Sequence, residues 1–204
     1  MSPSKAHERL DSLALLEVGS IARGLRVLDA LVKEAPITVV EGNVVEPGKF
    51  LVLFGGGVGE VDAAYRVGLE IAAEDLLDRV MLPLVDPRVW SGLGGVVHVG
   101  DPDTIGVIEG SSVAAVIEAC DRCLKMADVA LCGLRVTPGL GGKAWFVVSG
   151  LQHDVDAAIE VGATLLSSRE RLVRTERIGR PHPEFVGWIL RPAPFALPRI
   201  PGGA

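Results

Sequence analysis

The 204-residue sequence predicts an α+β protein built from two tandem copies of one small unit, each running β-α-β-β-α-β. Three observations predict it: short motifs recur at a nearly constant offset, apolar runs of strand length alternate with helical stripes, and the segments between them carry Gly and Pro. Leu15-Leu16-Glu17 recurs as Val107-Ile108-Glu109, and Ser20-Ile21-Ala22 as Ser112-Val113-Ala114, both 92 positions later. Asp29 and Lys33 recur at the same offset as Asp121 and Lys125. Gly48-Lys49 recurs as Gly142-Lys143, and Val61-Asp62-Ala63-Ala64 as Val155-Asp156-Ala157-Ala158, now 94 positions later. Pro87 and Pro183 stand 96 apart. The offset grows only where loops are expected.

In the first copy, residues 13–18 are an apolar run closed by Gly19-Ser20, a strand signal. Ser20 is a good N-cap, and Leu25, Leu28, Leu31 and Val32 give residues 21–35 a helical stripe that Pro36 stops. Residues 37–45 and 50–54 are rich in β-formers, and Glu46-Pro47-Gly48-Lys49 between them is a turn signal, so the pair predicts a hairpin. A second helix is expected over 62–73 and a last strand over 80–84, before Asp86-Pro87. The second copy repeats the order at 104–109, 113–126, 129–136, 145–149, 155–166 and 173–178. The domains are therefore placed at 12–91 and 103–190, joined by a glycine-rich stretch over 92–102. A tail follows over 191–204, and its four prolines exclude a helix. This is the ferredoxin-like plan, with helices packed on one sheet per copy. It hosts many functions and decides none.

Composition narrows the choice. Hydrophobic residues make up 49% and charged residues 23%, a globular balance. A mean hydropathy of +0.38 is high for a monomer and points to apolar surface buried between subunits. No apolar run reaches the roughly 18–20 residues of a membrane span, and the first ten residues form no secretory core. The three cysteines make no disulfide framework, so a cytoplasmic protein is expected. A net charge of -6 without a Lys/Arg stripe argues against nucleic acid. Cys120-x-x-Cys123 lies inside a predicted helix with no second pair, and reads as core rather than as a zinc or redox site. Gly55-Gly56-Gly57-Val58-Gly59 lacks the lysine and spacing of a phosphate loop. The four histidines are scattered, and no acid–base pair has a mechanistic spacing, so no enzyme, metal site or cofactor is expected.

Glu17-x-x-Ser20-Ile21-Ala22-Arg23-Gly24, Asp29-x-x-x-Lys33, Gly59-Glu60-Val61-Asp62-Ala63-Ala64 and Arg180-Pro181-His182-Pro183 resemble the shell domains of bacterial microcompartments. Two copies in this strand order resemble the tandem, trimer-forming branch, and its propanediol-utilisation type in particular. The resemblance implies a homotrimer closing into a pseudohexagonal tile with a central pore for metabolites. It implies a place in a microcompartment shell beside hexameric and pentameric tiles. The hairpin loops would ring the axis: Val45, Glu46, Pro47, Gly48 and Lys49 from one copy, and Pro138, Gly139, Leu140, Gly141, Gly142 and Lys143 from the other. Asp29, Lys33, Asp121, Lys125 and Arg180 would lie at tile edges. The first copy departs from the pattern there, since Arg88 follows Pro87 instead of preceding it. The propanediol-type loop carries a cysteine that holds an iron–sulfur cluster. Here Glu46 replaces it, and carboxylate is a poor cluster ligand, so no cluster is expected. Lys49 is expected to offset part of the Glu46 field. The alternative is a ferredoxin-like oligomeric module that binds a small molecule, which would need a pocket with convergent polar groups.

Overall fold

The computed structural model describes residues 10–95, 102–136 and 141–191. The chain forms two compact units, one ending at Val85 and one starting at Asp86. Of the tail expected over 191–204, all but Arg191 lies outside the described residues.

Unit 1 contains β1 (Ser12–Val18), α1 (Ile21–Glu34), β2 (Thr38–Val45), β3 (Lys49–Gly56), α2 (Val58–Ala72) and β4 (Leu76–Leu82), with a 3-10 turn over Ala73–Asp75. Its four-stranded sheet has the order β2-β3-β1-β4, and every neighbouring pair is antiparallel. Ser20 caps α1 by accepting a hydrogen bond from the Arg23 N–H. β1 is central and buried throughout. Its Ala14, Leu16 and Val18 pack with Phe50, Val52 and Phe54 of β3 under Val27 and Leu31 of α1 and Val61 and Ala64 of α2. Gly24 allows this approach, because a Cβ there would stand 2.5 Å from Phe50.

Unit 2 contains α3 (Pro87–Leu93), β5 (Thr104–Gly110), α4 (Val113–Met126), β6 (Ala130–Arg135), β7 (Ala144–Gly150), α5 (Gln152–Ser168), β8 (Leu172–Gly179) and α6 (Pro183–Ile189). Its sheet order, β6-β7-β5-β8, repeats that of unit 1. The bulge does too: β2 shifts register between Val39 and Glu41, and β6 between Leu131 and Gly133. The two units are thus the same fold in register.

Two elements go beyond the expected order. Residues 87–93 and 183–189 are short helices, where the sequence reading placed no element after the last strand of each copy. Each starts with Pro in the first turn behind a side-chain cap: Asp86 accepts from the Arg88 N–H and His182 from the Glu184 N–H. Seven residues are too few to show a helical stripe, which is why the pattern hid them. α3 packs on α4 and β6. α6 covers the other face of its sheet, where Ile189, Phe185 and Val186 meet Ile105, Cys132 and Val147. Arg135 fastens it by donating to the carbonyls of Ile189, at 2.9 Å, and Arg191.

Candidate functional site

The β2–β3 hairpin turns at Val45-Glu46-Pro47-Gly48-Lys49. Val45 is buried, while Glu46 and Pro47 are exposed, and the Glu46–Pro47 peptide bond is cis. Gly48 has φ 117°, a conformation other residues rarely adopt, and its N–H donates to the Val45 carbonyl at 2.9 Å. Lys49 turns back to the sheet, with Nζ 3.0 Å from Oε2 of the buried Glu17. The matching turn of unit 2 has Gly141 at φ 62° and Gly142 at φ 78°. Its Lys143 Nζ lies 3.2 Å from Oε1 of Glu109. Pro138, Gly139 and Leu140 lie outside the described residues. Both turn lysines therefore pair with repeat-equivalent strand glutamates, Glu17 and Glu109. The expectation that Lys49 offsets Glu46 gives way to this Lys49–Glu17 pair.

The helix pairs differ between the units. Asp29 and Lys33 form an exposed i,i+4 ion pair on α1. On α4, Lys125 pairs with Asp121 at 2.7 Å, but the Asp121 side chain is only 7% exposed. The Asp86 N–H at the start of α3 donates to Asp121 Oδ1 at 2.8 Å. Arg88 completes this joint. It binds Asp86 through two nitrogens, and donates to the carbonyl of Leu124 in the last turn of α4, at 2.6 Å, and to that of Val129 just beyond the helix, at 2.8 Å. The hydrogen bond from Arg88 holds the Asp86 carboxyl below its ordinary range. Sequence reasoning left Arg88 without a role, and the cue was the Asp-Pro-Arg run that opens a short helix. Arg180 is exposed, has φ 48°, and donates its N–H to the Asp103 carbonyl at 2.8 Å. Its counterpart in the first copy is Leu84, also left-handed at φ 55°.

The cysteines sit in the core of unit 2. Burial pushes the Cys120 thiol well above its usual range and Cys123 up to about 12, and the Cys123 thiol donates to the Ala158 carbonyl. Neither is near thiolate at neutral pH. The turn around Glu46 offers no sulfur donor, so its chemistry does not fit a thiolate-held cluster. Among the described residues, no three His, Cys, Asp or Glu side chains gather as a metal site. No helix among them is long and apolar enough to cross a membrane. Gly57 simply begins α2 after β3.

The BMC domain model matches twice, over residues 12–85 and 104–181. The chain belongs to the BMC-domain family. It is 35% identical over 171 residues to the bacterial microcompartment shell protein PduT of Citrobacter freundii, covering 84% of this chain and 93% of that protein. The crystal structure of a microcompartment protein from Desulfitobacterium hafniense is 34% identical. It superposes with a TM-score of 0.76, over 85% of this chain and 97% of that one. A fused permuted hexameric shell protein of the RMM microcompartment, 20% identical with a TM-score of 0.59 over 78% of this chain and 85% of that one, shares the fold. The tandem BMC architecture expected from the repeat is thus observed in both sequence and structure.

Proposed function

We propose that three copies of this BMC protein close into a pseudohexagonal tile of a bacterial microcompartment shell, with the hairpin turns alternating around a central pore. The protein is a structural shell component and not an enzyme. One observation carries the reading: the two units repeat the same sheet order, the same bulge and the same turn–lysine–glutamate arrangement, so six equivalent units come from three chains. The pore then presents three Glu46 carboxylates undiminished by Lys49, and would favour cations and neutral polar solutes over anions. Neighbouring shell proteins, hexameric and pentameric, would meet the tile at edges carrying Lys33, Lys125 and Arg180. Negative-stain electron microscopy of the purified protein tests the tile. Discs with a central hole, or extended sheets of them, are expected. Globular monomers at micromolar concentration would remove it.

A further inference from the structure

The same face of the repeat is buried in one unit and bare in the other. On α4 of unit 2, Val113, Ile117 and Leu124 are at most 3% exposed, and the β6 residue Leu134 is 1% exposed. Their counterparts 92 positions earlier are Ile21, Leu25, Val32 and Gly42. Leu25 is 54% and Val32 50% exposed, Ile21 is exposed, and so is Gly42. Register confirms the last pairing: Gly42 lies opposite Val52, which faces Leu16, and Leu134 lies opposite Phe146, which faces Ile108. An apolar stripe on one helix, buried in its own repeat, has an occupant to find.

Over the C-terminal half of α4 and over β6, this face of unit 2 is covered by α3. α3 packs on α4 and β6, the Asp86 N–H reaches Asp121, and Gly92 fits so closely that a Cβ there would meet Leu131 at 2.7 Å and Leu134 at 3.1 Å. The element equivalent to α3 is α6, with the same length, the same capping position and Pro in its first turn. At the offset of 96, Gly92 corresponds to Trp188, which is 56% exposed.

The two joints are complementary in opposite senses. In unit 2 a glycine of the short helix lies against a leucine of the edge strand. In the bare joint the short helix brings a tryptophan and the edge strand offers a glycine. We propose that a second copy of this chain covers the α1–β2 face with its α6, and that its Trp188 seats in the notch at Gly42. This rests on the ring reading above and adds the contact that sets which ends of the chain meet. Asp29, the counterpart of Asp121, would then receive the His182 N–H of the second copy. Glu184 stands where α3 has Arg88 and has no donor for the helix-end carbonyls, so the apolar seat carries more of this joint than it does within unit 2. Exchanging a small–large pair for a large–small one keeps the joint filled while making it distinct from the joint inside the chain.

The full chain is tested by native mass spectrometry and sedimentation velocity over a dilution series. Wild type is expected to be trimeric. Trp188→Ala should raise the midpoint concentration of assembly at least tenfold, with unchanged circular dichroism. Gly42→Leu should do the same, because its side chain both fills the notch and presses on Leu28, which a Cβ there would meet at 3.1 Å. Trp188→Gly combined with Gly42→Leu rebuilds the glycine–leucine pair of unit 2, and should assemble better than Gly42→Leu alone. If Gly42→Leu fails to fold, Trp188→Ala decides alone. A monomeric wild type overturns the ring and this contact together. A trimeric wild type whose Trp188→Ala form assembles equally well, or a double variant no better than Gly42→Leu, overturns the contact and leaves the ring standing.

Discussion

Lys49 and Lys143 make the same pair in two environments, and the difference has a measurable size. Glu17 is almost wholly buried, so removing Lys49 takes away a charge-assisted hydrogen bond made in a dry place. Lys49→Met is expected to cost about 1.5–3 kcal/mol of folding stability. Glu109 remains a third exposed and Lys143 about half, so Lys143→Met should cost at most about 1 kcal/mol. Urea unfolding of the two variants checks the order, and equal losses would show that the burial of Glu17 is not what the pair answers. Because Lys49 is occupied in this way, Glu46 stands as the charge of its turn. Three such carboxylates at ~8 Å in water repel by only about 0.5 kcal/mol per pair, a tolerable load for the ring. Glu46→Gln tiles should therefore assemble normally and lose cation preference in flux measurements. Unchanged selectivity would mean the turn does not line the path. The Glu46 turn was readable in the sequence, because Pro-Gly marks a turn anywhere. The Lys49–Glu17 pair was not, because it joins residues 32 positions apart across adjacent strands.

Among the elements, α4 appears over the residues its stripe predicted, Val113–Met126, because Ser112 caps it and apolar residues line both of its packed sides. α3 stayed hidden, and with it the reason Asp121 is buried: an i,i+4 Asp–Lys pair looks the same in sequence whether or not another helix start lies over it. The α3 joint carries its own pH signature. Asp86 is held below its ordinary range in the folded chain, first by the Arg88 hydrogen bond. Its contribution is therefore fully present above its unfolded pKa of about 4, and is lost as pH falls through the lower folded value. Asp86→Asn keeps a capping side chain but has no such dependence. It should be less stable than wild type at pH 6, and the gap should narrow on going below pH 4. Thermal unfolding of both proteins from pH 6 to pH 3 measures this, and a constant gap would mean that Arg88 does not act on Asp86 through charge.

At the scale of the whole molecule, duplication lets the two copies diverge at equivalent positions, and the edge lysines show how far. The repeat suggested one shared role for Asp29/Lys33 and Asp121/Lys125. The environments differ: Lys33 stands free on the α1 surface with an exposed partner, whereas Lys125 also holds the charge of a carboxylate that α3 covers. Lys125→Glu would place a second negative charge one turn from buried Asp121, and would weaken unit 2 itself. Any loss of lateral assembly in that variant would mix two causes. Within its own unit Lys33→Glu has no such burden, because an exposed i,i+4 pair contributes only about 0.3–0.5 kcal/mol; its added charge falls instead beside Asp29, which the second copy's α6 would cover. It changes the sign of a surface charge that recurs three times around a tile. If Lys33 lies where tiles meet, Lys33→Glu should still form trimers well above the assembly midpoint, which the added charge beside Asp29 raises, yet give isolated discs instead of sheets under the microscope. Raising salt should not restore the sheets, since the lost contact is a donor as well as a charge. Sheets of normal extent from this variant would place the lysine away from the seam.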